Sequence, residues 1–384
     1  MNNRVCMVVY SYYPNDPRVR KEAVALVRNG YEVTIICLRN KGEARGEVVD
    51  GVFVRRLPLM TERGGGKLRY AYQYLMFFAM AAFAVTTAHI MKRFGVVHTH
   101  SLPDFIVFTA AFAKLTGAKV VLDLHEVMPE IYLSRMDSHG RDGFMFRLMV
   151  ALERVSMAYA DRVVTISDLI ADIFVGRGLP RDKLTIIWNT PEILEASAPV
   201  TVKERRLVYA GSVVEYQDFD AVVAAFAEMR DVELDIFCNL EEAQELKSKI
   251  AERGLDNMHI KSWLDPKELR GLLSGYAGAI LPFVDSEITR IALGNKAIEN
   301  PLMGLPVVAT DLPGIRAVFD DSCVFFYKAG DSVDFVRAVR SLLSDNACAR
   351  RKVLRSQEII EERGLTWSRV EGRLIGMYRK LLDQ

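Results

Sequence analysis

The sequence predicts an α/β protein made of two Rossmann-like domains in tandem, each a parallel sheet covered on both faces by helices. Three observations carry this. Short apolar runs alternate with helical segments along most of the chain, the mark of buried parallel strands and their crossovers. The alternation lapses at residues 191–203 (PEILEASAPVTVK) and then restarts. And 384 residues are too many for one ordinary core.

Taken in order, residues 5–10 read as a buried strand and 18–29 as a helix stopped by Gly30. Strands follow at 32–38 and 52–57, then a long uncharged helix at 70–90. A strand at 96–99, a helix at 104–115 and a strand at 119–124 come next. A helix at 144–159, a strand at 162–166, a helix capped by Ser167 and a strand at 184–187 close the first half. In the second half, strands at 207–210, 233–238, 259–261, 278–282 and 306–310 alternate with helices at 219–228, 241–253, 267–274 and 295–303. The end is helical, at 333–343 and 367–382. The expected domains are 1–198, joined by a C-terminal helix over 366–384, and 199–365, with a cleft between them. No short repeat or low-complexity tract interrupts the pattern.

Composition narrows the function. Fifty Lys and Arg nearly cancel 49 Asp and Glu, so no global field recruits nucleic acid or an anionic membrane, and any affinity for anions must come from a local site. The five cysteines are scattered and form no Cys-x-x-Cys pair, which fits a reducing compartment without disulfides or zinc. A strand pattern beginning at Arg4 leaves no room for a signal peptide, so a cytoplasmic location is expected. Residues 70–90 lack Asp, Glu, Lys and Arg and are flanked by Lys67, Arg69, Lys92 and Arg93. Such a helix is about 30 Å long, enough to cross a bilayer. It also carries Gln73, Thr86, Thr87 and His89 and lies between soluble strand patterns, so the first reading is a buried crossover helix. Docking on a membrane surface is the next.

In such sheets ligands bind beyond the carboxyl ends of the strands. The most informative segment there is RIALGNKAIENPLMGLPVVAT, residues 290–310. A helix opening after Gly294 offers free N–H groups and a favourable dipole to a pyrophosphate. Asn295, Lys296 and Glu299 share a face by spacing, which suits a cation near phosphates and a carboxylate accepting from ribose hydroxyls. A solvated Lys–Glu pair on a surface helix fits the spacing equally.

Across nearly its whole length the chain resembles the family 4 glycosyltransferases, retaining enzymes of the two-domain GT-B fold. The likeness is carried by YPNDPRVRKEAVALVRNGYEVTII, VVLDLHEVMPE, ADRVVTISDLIAD, IIWNTPE, YAGSVVEYQDFDAVVAAF, the segment around Glu299 and TWSRVEGRLIGMYRKLL. It implies a nucleotide-sugar donor held by Gly211, Arg290, Gly294, Asn295, Lys296 and Glu299, with no resident cofactor or metal. Glu299 matches the glutamate that binds the donor ribose, and Asn189 the family's asparagine at the end of the first domain. The partner glutamate falls at Ile291, and the usual Arg and Lys fall at Ser212 and near Gln217. The stretch ALGNKAIE is similar to a branch with Pro-Asn-Lys there and no first glutamate. Pro301 removes a helical hydrogen bond just after Glu299. Without the usual pair, Lys296 is expected to stabilise charge on the leaving diphosphate, with Arg290 as the outside candidate.

In the first domain the resemblance assigns His125 to the donor sugar near the reacting centre. Taken alone, a histidine at a strand end is more often structural. Asp16, Arg18, His100 and Glu126 are candidates for the acceptor, a saccharide or a lipid-linked saccharide. Arg18 reaches either an anionic acceptor group or Asp16, and Glu130 is either a loop carboxylate or an acceptor ligand. His98 and His100 share one strand face without a further cysteine or histidine to complete a metal site, and read as cleft lining or core.

Other classes fit less well. The loop after Tyr10 has no glycine before Gly30, unlike a dinucleotide fingerprint, and Gly64-Gly65-Gly66-Lys67 lacks the rest of a phosphate-binding loop. A non-hydrolysing nucleotide-sugar 2-epimerase shares the fold, and a non-catalytic partner that has lost donor chemistry is motivated by Ile291, Ser212 and Gln217.

Overall fold

The computed structural model describes residues 2–60, 67–136, 140–192, 196–199, 205–264 and 266–383. Gly64, Gly65 and Gly66 lie outside the described residues. The chain forms two compact units, one of Met1–Asn189 with Arg369–Gln384 and the other of Thr190–Ser368. The first boundary thus falls just after Asn189 rather than at 198. The reason is local: Ser197 N–H donates to the Leu302 carbonyl at 2.7 Å, and the Gln357 amide donates to the Ser197 carbonyl at 2.8 Å. Those bonds tie the connecting strip to the second unit.

The first unit runs β1 (Arg4–Tyr12), α1 (Pro17–Arg28), β2 (Glu32–Leu38), β3 (Gly46–Val49), β4 (Val52–Leu57), α2 (Lys67–Lys92) and β5 (Val96–His100). A 3-10 segment, Asp104–Ala110, then leads into α3 (Ala111–Leu115), β6 (Lys119–Asp123), α4 (Met128–Met136), α5 (Phe144–Tyr159), β7 (Arg162–Thr165), α6 (Asp168–Gly176) and β8 (Leu184–Ile186). Its sheet has the order β3-β4-β2-β1-β5-β6-β7-β8, and only β3 is antiparallel. β3 was not expected, because GEVV is short and almost wholly exposed, with no apolar alternation to read. The strand order reverses at β1, which pairs with β2 on one side and β5 on the other. The loop after β1 and the ends of β5 and β6 therefore meet at the switch point where α/β sheets bind ligands. α1 starts there by local chemistry: Asp16 caps it by accepting from Val19 N–H, and Pro17 follows at the first helical position.

The second unit contains β9 (Arg206–Ala210), α7 (Phe219–Glu228), β10 (Glu233–Cys238), α8 (Gln244–Glu252), β11 (Met258–Ser262), α9 (Pro266–Leu272), β12 (Gly278–Leu281) and α10 (Asn295–Leu302). β13 (Val307–Thr310), α11 (Pro313–Arg316), β14 (Phe325–Tyr327), α12 (Ser332–Ser344) and α13 (Asn346–Glu362) complete it. All six strands are parallel, in the order β11-β10-β9-β12-β13-β14, so the switch point lies between β9 and β12. Its core gathers the apolar face of β9 and β10 under α7, α8 and α12, with Phe226, Val339 and Leu342 fully buried. α13 was missed because its buried stripe, Ala349, Val353, Ser356 and Ile360, is sparse amid charge. The last helix, α14 (Trp367–Leu382), joins the first unit from Arg369 onward, burying Val370, Leu374, Tyr378 and Leu381 at helical spacing.

Candidate active site

In the second unit, the loops after β9 and β12 are stitched together. Asp218 N–H donates to the Pro282 carbonyl at 2.7 Å and Val284 N–H to the Tyr216 carbonyl at 3.0 Å. Gln217 bridges Phe283, and its side chain accepts from Val214 N–H at 3.0 Å. Gly211 follows β9, its N–H bonded to the Phe237 carbonyl. This edge is where Ser212 and Gln217 replace the cations expected from the resemblance.

The same edge presents the N-terminus of α10. Gly294 caps it with φ +72°, a conformation L side chains rarely adopt, and no side chain caps the helix. The Ala297 N–H turns back to the Gly294 carbonyl at 3.1 Å, which leaves the N–H groups of Asn295 and Lys296 as the helix's outward donors. Lys296 Nζ contacts Glu299 Oε2 at 2.5 Å, both half-buried. Arg290 forms a fork with Asp285, at 2.5 and 3.0 Å, on the exposed loop before the helix. The helix runs through Pro301 to Leu302, with the Met303 N–H still reaching the Glu299 carbonyl at 2.9 Å. Arg290, Gly294, Asn295, Lys296 and Glu299 are thus brought to one edge, beside Gly211's loop. Ile291 is half-buried there and offers no polar group.

The first unit builds a buried charge cluster under its own switch point. Arg18 Nε and Nη2 grip both oxygens of Asp123 at 2.9 and 3.0 Å, Nη1 donates to the Ile187 carbonyl at 3.0 Å, and Nη2 lies 3.1 Å from Glu22. His100 Nδ1 meets Asp123 at 3.1 Å, and His98 stacks on His100 with ring centroids 4.3 Å apart. Tyr378 of α14 reaches in, its hydroxyl 2.7 Å from His98 Nδ1. Burial would push the Asp123 carboxyl up, but Arg18 and the imidazoles hold it well below the usual range. Burial keeps His98 neutral and pushes Glu22 up, against the pull of Arg18.

His125 sits one step further out, at the carboxyl end of β6 and partly exposed, with Nδ1 3.8 Å from Asp123. Burial pulls its pKa down, yet attraction to Asp123 outweighs it and the net shift is upward. Glu126 beside it is exposed.

Two acceptor assignments need correction. Arg18 is enclosed and bound on every side by Asp123, Glu22 and a carbonyl, so its guanidinium is not offered to an anion; nor is Asp16 its partner, being the cap of α1. His100 is fully buried under the same aspartate and acts as core, the second of its two readings. Glu130 is buried too, in α4 and in an ion pair with Arg177 at 2.5 Å, so it is neither a loop carboxylate nor offered to an acceptor. Glu22, His98, His100 and Asp123 do offer ligand atoms within 4.8 Å of one another, a spacing invisible along the sequence. Two of the four, Glu22 and Asp123, already hold the Arg18 guanidinium. Asp123, Glu22 and Tyr378 were missed, although an aspartate ending an apolar strand and an Arg-x-x-x-Glu pair on a helix were the available signals.

Comparison with known proteins agrees with this architecture. Residues 16–190 match the Glycosyl transferase 4-like domain and residues 204–345 the Glycosyl transferases group 1 family. Together the matches cover most of the chain, which belongs to the glycosyltransferases of GT-B fold. A curated relative, the putative colanic acid biosynthesis glycosyl transferase WcaI of Escherichia coli (strain K12), is 26% identical over 269 residues, 62% of this chain. The match spans 64% of that relative's length. Among solved structures, sucrose-phosphate synthase (tll1590) from Thermosynechococcus elongatus superposes with TM-score 0.78 at 15% identity, covering 99% of both chains. Anabaena Alr3699/HepE in complex with UDP-glucose gives 0.73 at 13% identity, covering 98% of this chain and 99% of that one. At these identities the superpositions speak to fold alone.

Proposed function

We propose that this protein transfers a sugar, with retention of configuration, from a nucleoside diphosphate sugar to a hydroxyl of a saccharide or lipid-linked acceptor. The setting is surface-polysaccharide or glycolipid assembly, by a peripheral protein at the cytoplasmic face of the membrane. The observation that carries the reading is the uncapped N-terminus of α10, with Lys296 and Glu299 one turn apart on the carboxyl edge of a parallel sheet. The HepE complex with UDP-glucose and the name of the WcaI relative support the donor and the setting.

In this reading Glu299 accepts from the donor ribose, and Lys296, released from Glu299, meets the diphosphate together with the N–H groups of Asn295 and Lys296. Negative charge grows on the leaving diphosphate as the sugar bond breaks, so these groups act most strongly in the transition state. His125 hydrogen-bonds the donor sugar, and Glu126, exposed on the same loop, contacts the acceptor. The protein's own cations serve in place of a bound metal, so a chelator leaves turnover unchanged.

The test is a thermal-shift screen against UDP-, GDP-, ADP- and CDP-sugars, then turnover with the donor that stabilises the chain. Proton NMR of the first product is expected to show the donor's anomeric configuration. Clean inversion overturns the mechanism. Donor turnover without any acceptor favours the epimerase, and donor binding without turnover favours the non-catalytic partner.

A further inference from the structure

Helix α2 is apolar on both faces. Two polar side chains point inward beside its buried apolar ones: Gln73 accepts from the Tyr10 hydroxyl at 3.4 Å, and His89 accepts from Phe94 N–H at 3.1 Å while its other ring nitrogen meets Thr116 at 2.9 Å. Its outward face is apolar, with Leu75, Phe83 and Ile90 exposed by 60%, 69% and 58%. The outward face of α5 is also apolar, with Phe144 78% and Val155 57% exposed, whereas its one acid, Glu153, is buried on Arg177. Leu115, at the end of α3, is 86% exposed.

These helices share one side of the sheet. Each connects parallel strands that step in the same direction, and right-handed crossovers then put them on one face. The 3-10 segment lies between α2 and α5, with Phe78 on Phe105 at 5.8 Å and Phe108 on Tyr159 at 5.0 Å. Apart from buried Glu153, the three helices contain no Asp or Glu; Arg69, Arg147 and Arg154 are exposed, whereas Lys92 turns back to donate to Thr34 at 3.0 Å. Asp161 and Asp142, in flanking loops, pair with Lys114 and Arg147.

We infer that the outward faces of α2, α3 and α5 form one docking surface for an anionic lipid bilayer, entered sideways. This rests on the proposed work at a membrane-linked acceptor. Exposed apolar side chains enter the acyl boundary while Arg69, Arg147 and Arg154 meet lipid phosphates. α2 is apolar enough to span, with mean hydropathy 1.6, but Phe77, Ala81 and Val85 are fully buried in its own domain. Crossing would strip them from that core, so the helix lies in the interface plane.

The full chain is sedimented with vesicles of phosphatidylcholine alone or mixed with phosphatidylglycerol. Binding is expected to the mixed vesicles and to weaken with salt. Phe83→Glu on α2 and Phe144→Glu on α5 should each lower it about tenfold or more. Arg154→Ala should lower it about fivefold, and Val333→Glu on the second unit should change nothing. Donor-induced thermal shift, followed in every variant, keeps this surface separable from the transfer reaction: intact donor binding without vesicle binding overturns the surface alone. Vesicle binding insensitive to both glutamate variants also overturns it. So does recovery of the chain only from detergent, which means a span, or a dimer in solution that Phe83→Glu dissociates, which means a self-interface.

Discussion

At the scale of single residues, Lys296 and Glu299 carry the functional reading. Their mutual contact at 2.5 Å is a half-buried i,i+3 pair, and pairs of that kind contribute only about 0.5 kcal/mol to stability. Lys296→Ala should therefore leave the folding temperature near wild type while lowering kcat on the order of a hundredfold, because a preorganised group opposite a developing charge supplies about 3 kcal/mol. Glu299→Ala should instead raise the donor KM most, since ribose contacts exist in the ground and transition states alike. Steady-state kinetics of both variants checks this. Normal turnover by Lys296→Ala would move the charge stabilisation to Arg290, which sits exposed on Asp285 before the same helix.

At the scale of elements, the donor edge depends on a backbone packing that no charge pattern predicts. A Cβ added at Gly314, in α11, would lie 2.1 Å from the Ala292 carbonyl oxygen, a backbone atom with no flexible route away. Ala292 stands two residues before Gly294, so the loop that aims α10 rests on this glycine. Gly314→Ala is expected to destabilise the chain by about 1–3 kcal/mol and to weaken donor binding with it. Gly271→Ala, in α9 with nothing within 4 Å of the new methyl, should be neutral or stabilising. Urea unfolding with and without the stabilising nucleotide sugar measures both.

At the scale of the whole molecule, stability should carry a pH dependence rooted in the first unit. Asp104 is pushed up to about 8, chiefly by burial and then by Glu153, and Glu153 itself to about 7 by burial against the pull of Arg177. A carboxyl whose folded pKa is raised binds its proton more tightly in the native chain than in the unfolded one. That contribution is complete below about pH 4 and is lost as pH climbs through the folded pKa. Stability should therefore decline between about pH 5 and pH 8. Asp104→Asn keeps the shape without the ionisation, so it should flatten that decline, as denaturant titrations across the range would show. An unchanged slope would place the proton linkage elsewhere.

What could be read in advance followed from properties that are local in the chain. The period of apolar residues gave the strand–helix alternation, the lapse after Pro191 the existence of two units, and Gly294 with Lys296 and Glu299 the helix opening, because caps and i,i+3 neighbours lie within one turn. His125 was legible as the residue just past an apolar strand. Short or sparse elements such as β3 and α13 escaped, since neither shows enough buried periodicity to stand out. What only the tertiary structure decided were pairings across long separations. Arg18 finds Asp123 at 105 positions' distance, turning an expected acceptor ligand into core, and His98 finds Tyr378 at 280. The outward face of α2 was settled in the same way: its composition allows burial, spanning or docking alike. Which side chains reach the protein interior depends on the strands that the helix covers, β1, β2 and β4, whose order side by side in the sheet the sequence does not show.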